Sequence, residues 1–133
     1  MITVTTPRLV REYPSRYRLE AARCQQCGAV VFPRRLVCPG CRGRSFETVT
    51  LRPEGTVATF TVIHVAAPPF RHEVPYVLAV VDLADGARCT CQVADVAPSE
   101  VKIGMPVRLE FRRIQEAGEP GVIAYGHKAV PAQ

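Results

Sequence analysis

Hydrophobic and polar residues alternate with a period of two along most of the second half of the chain. Val107, Leu109 and Phe111, for example, are separated by charged residues, so we expect these three side chains to point into a core. Segment 76–83 is almost wholly apolar, which predicts a central strand. The segments predicted as strands are 55–65, 76–83, 87–93, 107–114 and 122–130.

The connections between these strands favour a small barrel. Asp85-Gly86 is a tight hairpin signal. The linker 94–104 has room for one helical turn between the third and fourth strands, which is where an OB-fold carries its helix. OB-folds bind ligands through the loops that correspond here to 66–75 and 115–121, so both loops are candidate binding segments.

Four cysteines in the first third of the chain form two C-x-x-C pairs separated by ten residues: Cys24, Cys27, Cys38 and Cys41. Two such turns can aim four sulfurs at one tetrahedral metal ion, and zinc suits this ligand set. Disulfides or a redox pair are less favoured because no export signal is present and reduced thiols are the rule in the cytosol. Rubredoxin holds iron with similar turns, but far more residues separate its two cysteine pairs, and aromatic side chains surround its iron. This chain has ten residues between the pairs and no Trp, so zinc is favoured over iron.

A site closed by four thiolates has no open position for a substrate, so the predicted metal is structural. Cys89 and Cys91 lie two residues apart and would share one face of a strand. A second metal site there would need further ligands, and none cluster in that part of the sequence. We therefore interpret both residues as buried, small hydrophobic side chains.

Together these patterns predict an all-β protein in which an N-terminal rubredoxin-like zinc ribbon precedes a five-stranded OB-fold barrel. The predicted divisions are an N-terminal segment 1–16, the zinc ribbon 17–50 and the barrel 51–133. With 12 prolines and 9 glycines in 133 residues, a long-helix bundle is excluded. There is neither an apolar run long enough for a transmembrane helix nor a signal-peptide pattern, so we predict a cytoplasmic protein.

Charge is unevenly distributed along the chain. Residues 1–52 contain ten arginines and three acids, a net charge of +7, whereas residues 53–133 contain seven bases and nine acids, a net charge of −2. An OB-fold or zinc ribbon that binds single-stranded nucleic acid is therefore an alternative interpretation. It is less favoured, because such binding needs stacking aromatics and a basic track on the barrel, and aromatics are only 7% of the chain.

The sequence contains no recognisable catalytic motif: no nucleophile elbow, dinucleotide fingerprint or phosphate-binding loop. Its three histidines, His64, His72 and His127, fall on different predicted elements. A free-standing enzyme is thus not indicated. An electron carrier would require iron in the four-cysteine site, and the purified protein would then be red.

Several short motifs, in this order and spacing, resemble the zinc-ribbon plus OB-fold family catalogued as domain of unknown function thirty-five. They cover nearly the whole chain from about residue 12 and are found at 16–20, 24–28, 32–34, 38–41, 55, 75–77, 81–86, 101–107 and 125–131. The chain departs from the family at Arg34, where a second proline is common, and at Ala129, where an aromatic is usual. It also has little room for the longer N-terminal helix of many relatives.

The resemblance implies a non-catalytic accessory subunit that binds a thiolase-superfamily enzyme acting on acyl-CoA. Known relatives scaffold acetoacetyl-CoA thiolase and hydroxymethylglutaryl-CoA synthase, or accompany thiolase-like aldolases, and the catalytic residues belong to the partner. Coenzyme A could be shared with the partner, and the arginines that could contact its phosphates are Arg34, Arg35 and Arg71. The candidate partner contacts are Phe32, Pro69, Phe70 and Tyr125.

Overall fold

A computed structural model describes residues 7–116 and 123–132. One helix, α1, covers Pro7–Tyr17. The strands that follow are β1 (Glu20–Cys24), β2 (Val30–Val31), β3 (Phe46–Thr50), β4 (Glu54–Ile63), β5 (Tyr76–Leu83), β6 (Arg88–Val93), β7 (Pro106–Glu116) and β8 (Ile123–Pro131). The candidate binding loop 115–121 lies largely outside the described residues. No helix in the described ranges is long and apolar enough to cross a membrane.

The five strands β4 to β8 form a closed barrel, which confirms the predicted OB-fold. Their order around the barrel is β4-β5-β6-β8-β7. All neighbours are antiparallel except β6 and β8, which meet in parallel at the single pair Val93 and Ala129. The apolar strand β5 pairs with β4 and β6, and in a closed barrel no strand is more central than another. The linker before β7 carries the expected helical turn as a short 3-10 helix at Pro98–Glu100.

Valines fill the centre of the barrel. Val57, Val81 and Val107 are each at most 1% exposed and come from three different strands. A bulge between Val57 and Thr59 shifts the register of β4 by one residue. Because side chains alternate along a strand, this bulge lets the first and second halves of β4 both direct apolar residues at the core.

The Asp85-Gly86 hairpin signal is confirmed. The Gly86 amide donates to the Leu83 carbonyl (3.0 Å), and Gly86 has φ of +92°, a conformation that glycine adopts without steric cost. The Asp85 carboxylate also accepts a hydrogen bond from the amide of Arg52, at 2.6 Å. This bond ties the hairpin to the segment that leads out of the ribbon.

The sequence did not predict the helix α1. Eleven residues, most of them in the predicted N-terminal segment 1–16, form this helix. Its side chain Tyr17 packs edge-on against Phe111 of β7, with ring centroids 4.9 Å apart. The prediction that Phe111 points into the core is wrong, since Phe111 is 49% exposed. It lies beyond the end of the barrel core, where it packs against the helix instead.

The ribbon is a three-stranded sheet in the order β2-β1-β3. It is joined to the barrel without a flexible linker: the Leu51 amide donates to the Leu19 carbonyl (2.9 Å), and both leucines belong to the same buried cluster as the barrel valines. The ribbon therefore has a fixed attachment to the barrel core.

Candidate metal centre and charged surfaces

The four cysteines lie on two turns of the same geometry. In the first, the Gly28 amide donates to the Cys24 carbonyl at 2.9 Å, and in the second, the Arg42 amide donates to the Cys38 carbonyl at 2.9 Å. Gly28 has φ of +77°, as its place after the second cysteine predicts, and Arg42 has φ of +62°. The second turn thus places a non-glycine residue in the left-handed region.

The sulfur positions fit one tetrahedral ion. All four Sγ atoms lie within 4.8 Å of one another. The Cys24–Cys41 and Cys27–Cys38 sulfur pairs are each 3.5 Å apart, close to the ~3.8 Å separation expected for thiolates at ~2.3 Å from a central zinc. Cys24 and Cys38 are buried and Cys27 and Cys41 exposed. The cluster can hold a metal at the protein surface, with every coordination position taken by protein.

Backbone amides prepare two of these thiols to be thiolates. The amides of Cys27 and Gln26 lower the pKa of Cys24 to about 6. The amides of Cys41 and Gly40 lower the pKa of Cys38 in the same way. Because a metal binds the thiolate and not the thiol, these two groups are prepared for coordination, whereas hydrogen bonding to Cys24 raises the pKa of Cys41 to about 12, so that this thiol must lose its proton when a metal binds.

Cys89 and Cys91 share one face of β6, as predicted. Cys91 is buried and Cys89 half-buried, and both line a cavity of about 230 Å³ between α1, Phe32 of the ribbon and the barrel. The hydrogen bond to Cys89 and then burial raise the pKa of Cys91, so it stays a neutral thiol. Within the described ranges the four-cysteine group is the only cluster of three or more potential ligands with metal-binding spacing.

Two of the three candidate phosphate-binding arginines come together. Arg34 and Arg35 line an open groove of about 490 Å³ between α1 and the ribbon, together with Arg8 and Arg44. Arg71 does not line this groove; it caps the 3-10 helix Pro68–Phe70 in the loop between β4 and β5. The sequence did not indicate that Arg8 would join the pair, because that depends on the position of α1.

The three acidic residues of the N-terminal part pair with Arg8 of the groove and with arginines outside it. Glu12 contacts Arg8 and Arg16, at 3.2 and 2.9 Å. Glu20 and Glu47 contact arginines on β1 or next to it. As a result, Arg35 and Arg44 have no carboxylate within ion-pair distance in the part of the chain that the structure describes. The excess positive charge of the first 52 residues is concentrated beside the groove.

The candidate partner contacts differ in accessibility. Tyr125 is 44% exposed and stacks on Phe111, with centroids 5.6 Å apart. Phe32 is half-buried and packs against the core cluster. Pro69 and Phe70 are half-buried in a 3-10 helix, so the tip of this loop offers a partner less apolar surface than Tyr125 does.

The tip of the ribbon carries a strongly exposed apolar residue that the sequence patterns did not indicate. Leu36 is 88% exposed at the tip of the ribbon, next to Val37, which is 39% exposed. Its position between two arginines and the third cysteine is the signal that could have found it: a short loop tied to a metal site has no core in which to bury a leucine.

Comparison with known proteins agrees with both halves of the fold. A family model described as the rubredoxin-like zinc ribbon domain of ChsH2 matches residues 11–47, and one described as the C-terminal OB-fold domain of ChsH2 matches residues 48–112. A DUF35 domain-containing scaffold protein of Methanocaldococcus jannaschii is 46% identical over 92% of this chain and 88% of its own length.

Two further relatives are linked by name to acyl-CoA or aldolase enzymes. The benzoylsuccinyl-CoA thiolase subunit BbsA of Thauera aromatica is 28% identical over 74% of this chain and 66% of its own length. Among solved structures, the Ltp2–ChsH2(DUF35) aldolase matches with a TM-score of 0.74 and 27% identity, covering 99% of this chain and all of the matched chain.

Proposed function

Because the chain belongs to the DUF35 family of scaffold proteins, we propose that it is a non-catalytic accessory subunit that binds a thiolase-superfamily enzyme acting on acyl-CoA. The observation that carries this proposal is the whole-length similarity to scaffold proteins, combined with relatives that are named as a thiolase subunit and as part of an aldolase. The partner would supply the catalytic residues, and both proteins would work in the cytoplasm.

Two kinds of partner fit the proposal. The family resemblance favours acetoacetyl-CoA thiolase, with a hydroxymethylglutaryl-CoA synthase-like enzyme as a further partner. The structural relative favours an aldolase, which the family resemblance suggests is thiolase-like. Either enzyme would form or cleave a carbon–carbon bond of an acyl-CoA, and this chain would be required for the stable complex.

The metal that fits the four-cysteine site best is zinc, in a structural role. Tetrahedral thiolate coordination suits zinc, and the ribbon has too small a core to be stable without it. The ion would cross-link the two turns and hold the ribbon tip in a fixed position. No chemical step is assigned to it, because all four coordination positions are occupied by protein.

The most specific part of the proposal is that this chain contributes to the coenzyme A site. Arg34 and Arg35 line one groove and could contact phosphates of the nucleotide end through charge-assisted hydrogen bonds. Arg71 lies on a separate loop and would contact coenzyme A only if the ligand extended across the barrel mouth. Arg34 and Arg35 therefore share one location, and competition between coenzyme A and an acidic peptide decides which ligand these two arginines bind.

The proposal is tested by isolating the tagged full-length chain from lysate of its source cells, at low salt and after nuclease treatment. We expect a thiolase-fold enzyme in near-stoichiometric amount, identified by mass spectrometry, and a heteromeric mass by light scattering. A chain that is recovered alone beside the thiolase-fold enzymes of the same lysate would overturn the proposal. Salt-sensitive recovery of nucleic acid before nuclease treatment would instead revive the nucleic-acid alternative.

A further inference from the structure

The groove between α1 and the tip of the ribbon, hereafter the tip groove, combines charge with apolar surface. Its lining contains four guanidinium groups, one carboxylate and two apolar side chains: Arg8, Arg34, Arg35, Arg44, Glu12, Leu36 and Phe46. The single carboxylate already pairs with Arg8 and Arg16. The groove therefore presents positive charge beside apolar side chains.

Glu12 is the only carboxylate among the described residues that offsets positive charge in the tip groove, and it pairs with Arg8. Arg34 donates only to the hydroxyl of Thr48, at 2.8 Å, and Arg35 and Arg44 lack an acidic partner among those residues. Four thiolates around a divalent ion would carry a charge of about −2, and the arginines directly next to a cysteine in sequence are Arg23, which pairs with Glu47, and Arg42. Even with that compensation, Arg34 and Arg35 remain available to an external anion.

Leu36 adds an exposed apolar side chain to the tip groove, and a ligand that fits the groove must cover it. It is 88% exposed on a loop that begins and ends at fixed points, the β2 strand and the buried Cys38. An aliphatic side chain held outward in this way gains free energy only when a partner covers it. A nucleotide phosphate would satisfy the arginines but would leave the leucine in water.

We propose that the tip groove binds an acidic segment of a partner protein, in which an apolar side chain contacts Leu36 and Phe46 while flanking carboxylates pair with Arg34 and Arg35. Arginine is suited to this because its planar fork accepts a carboxylate through two hydrogen bonds. The identity of the partner rests on the proposed function, whereas the chemistry of the segment rests only on the groove.

The chemistry is tested first on the zinc-loaded full chain by NMR titration with three short peptides. The probe is acetyl-Asp-Glu-Leu-Asp-Glu-amide, and its controls replace the leucine by alanine or all four acids by lysine. We expect the acidic leucine peptide to shift the amides of Leu36, Arg35 and Arg44, with about tenfold weaker binding for the alanine peptide. Equal binding of all three peptides, or no shift at the groove, overturns the inference.

Coenzyme A is added to the same samples as a competitor. If it leaves the peptide bound, the groove is selective for the protein segment. If it shifts the same amides and displaces the peptide at a lower concentration, the groove is a nucleotide site and the inference is overturned.

The second test uses the complex with the thiolase-fold partner. We expect Leu36→Asp to weaken this complex at least about tenfold, because a carboxylate would oppose the acidic segment and remove the apolar contact. Val65→Asp is the matched control, since Val65 is 93% exposed on a barrel loop and is not in the groove. Equal effects of the two variants overturn the groove as the docking site while the proposed function stands. If the wild-type chain binds no thiolase-fold enzyme, the proposed function fails and the peptide titration alone decides the groove.

Discussion

The imidazole of His127 on β8 donates from Nε2 to the carbonyl of Tyr17, 3.1 Å away and 110 residues earlier in the chain. Tyr17 is the last residue of α1, so the bond satisfies a carbonyl that the end of the helix leaves without an intrahelical partner. It fixes the C-terminal end of α1 against the barrel. A histidine that the sequence left without a role thus positions the helix.

We expect His127→Phe to destabilise the protein by about 1 kcal/mol, because it keeps an aromatic ring but removes the donor to Tyr17. His127→Gln is the control, since its side-chain amide can still donate at a similar reach. Urea unfolding gives the free energies, and hydrogen exchange at the amides of Arg18 and Leu19 reports on the helix end. Identical exchange in the two variants would contradict the role assigned to the imidazole.

Metal content depends on the ribbon cysteines and not on the barrel cysteines. We expect Cys38→Ser to lose the metal and unfold the ribbon, because one neutral hydroxyl replaces a buried thiolate ligand. Cys91→Ser should keep about one zinc per chain, since Cys91 only packs in the barrel. Elemental analysis of both purified variants checks this. Iron in place of zinc in the wild-type chain would refute the assignment of the metal.

Acid should release the metal. The pKa of Cys24 is lowered to about 6 by the amides of Cys27 and Gln26. A group whose folded-state pKa is depressed stabilises the fold above its unfolded pKa and loses that contribution as pH falls through the folded value. Bound metal lowers the pKa further, so we expect retention at neutral pH and a release midpoint below about pH 6, followed with a chromogenic zinc chelator. Release that begins above neutral pH would show that the amides do not stabilise the thiolate.

Substitution of the residue with positive φ should change the stability of the ribbon in opposite directions in the two cysteine turns, at Gly28 and at Arg42. Gly28→Ala forces a side chain into the left-handed region and should destabilise the ribbon by about 1–2 kcal/mol. Arg42→Gly removes the same strain from the second turn, although the greater freedom of glycine in the unfolded chain offsets part of the gain. Competition with a chelator of known affinity measures both changes. If Arg42→Gly weakened zinc binding, the arginine side chain would have to stabilise the zinc-bound ribbon by more than the strain at its positive φ destabilises it.

Gly55 is required by a close approach between β4 and β5. A Cβ atom at this position would lie 2.6 Å from the Asp82 carbonyl oxygen and 2.9 Å from Val81 Cγ1. Because the strand backbone cannot move aside, Gly55→Ala should destabilise the barrel by roughly 1–3 kcal/mol.

Gly126→Ala is the comparison for this variant. Its Cβ would meet only the side chain of Ile114, at 3.1 Å, which can rotate away. Urea unfolding of both variants should therefore show the smaller loss for Gly126→Ala. Equal losses would mean that β4 and β5 adjust to the extra carbon.

Local patterns were enough to predict much of the fold. The alternation of residues along 107–114, the Asp85-Gly86 turn and the paired C-x-x-C turns each act over a few residues, and the structure has the strand, the hairpin and the cysteine cluster that they predict. The strands were placed within a few residues of their observed bounds for the same reason. In the strand, the hairpin and the cysteine turns alike, residues close together in sequence satisfy the steric and hydrogen-bonding preferences of the backbone.

Other features depended on contacts between distant residues. The sequence around Pro14 gives little sign of a helix, and α1 is positioned by Tyr17 against Phe111 and His127, about a hundred residues away. Phe111 was misassigned to the core because alternation specifies a face of the strand but not where the barrel ends.

The sequence by itself therefore determined the two-part fold, the four cysteines that can hold a metal, and an excess of arginine in the first 52 residues. Only the tertiary structure decided where that charge is concentrated. It does so because Glu12, Glu20 and Glu47 each pair with nearby arginines, which leaves Arg34 and Arg35 beside the exposed Leu36. Ion pairing and burial depend on distances in space, and a pattern along the chain does not contain those distances.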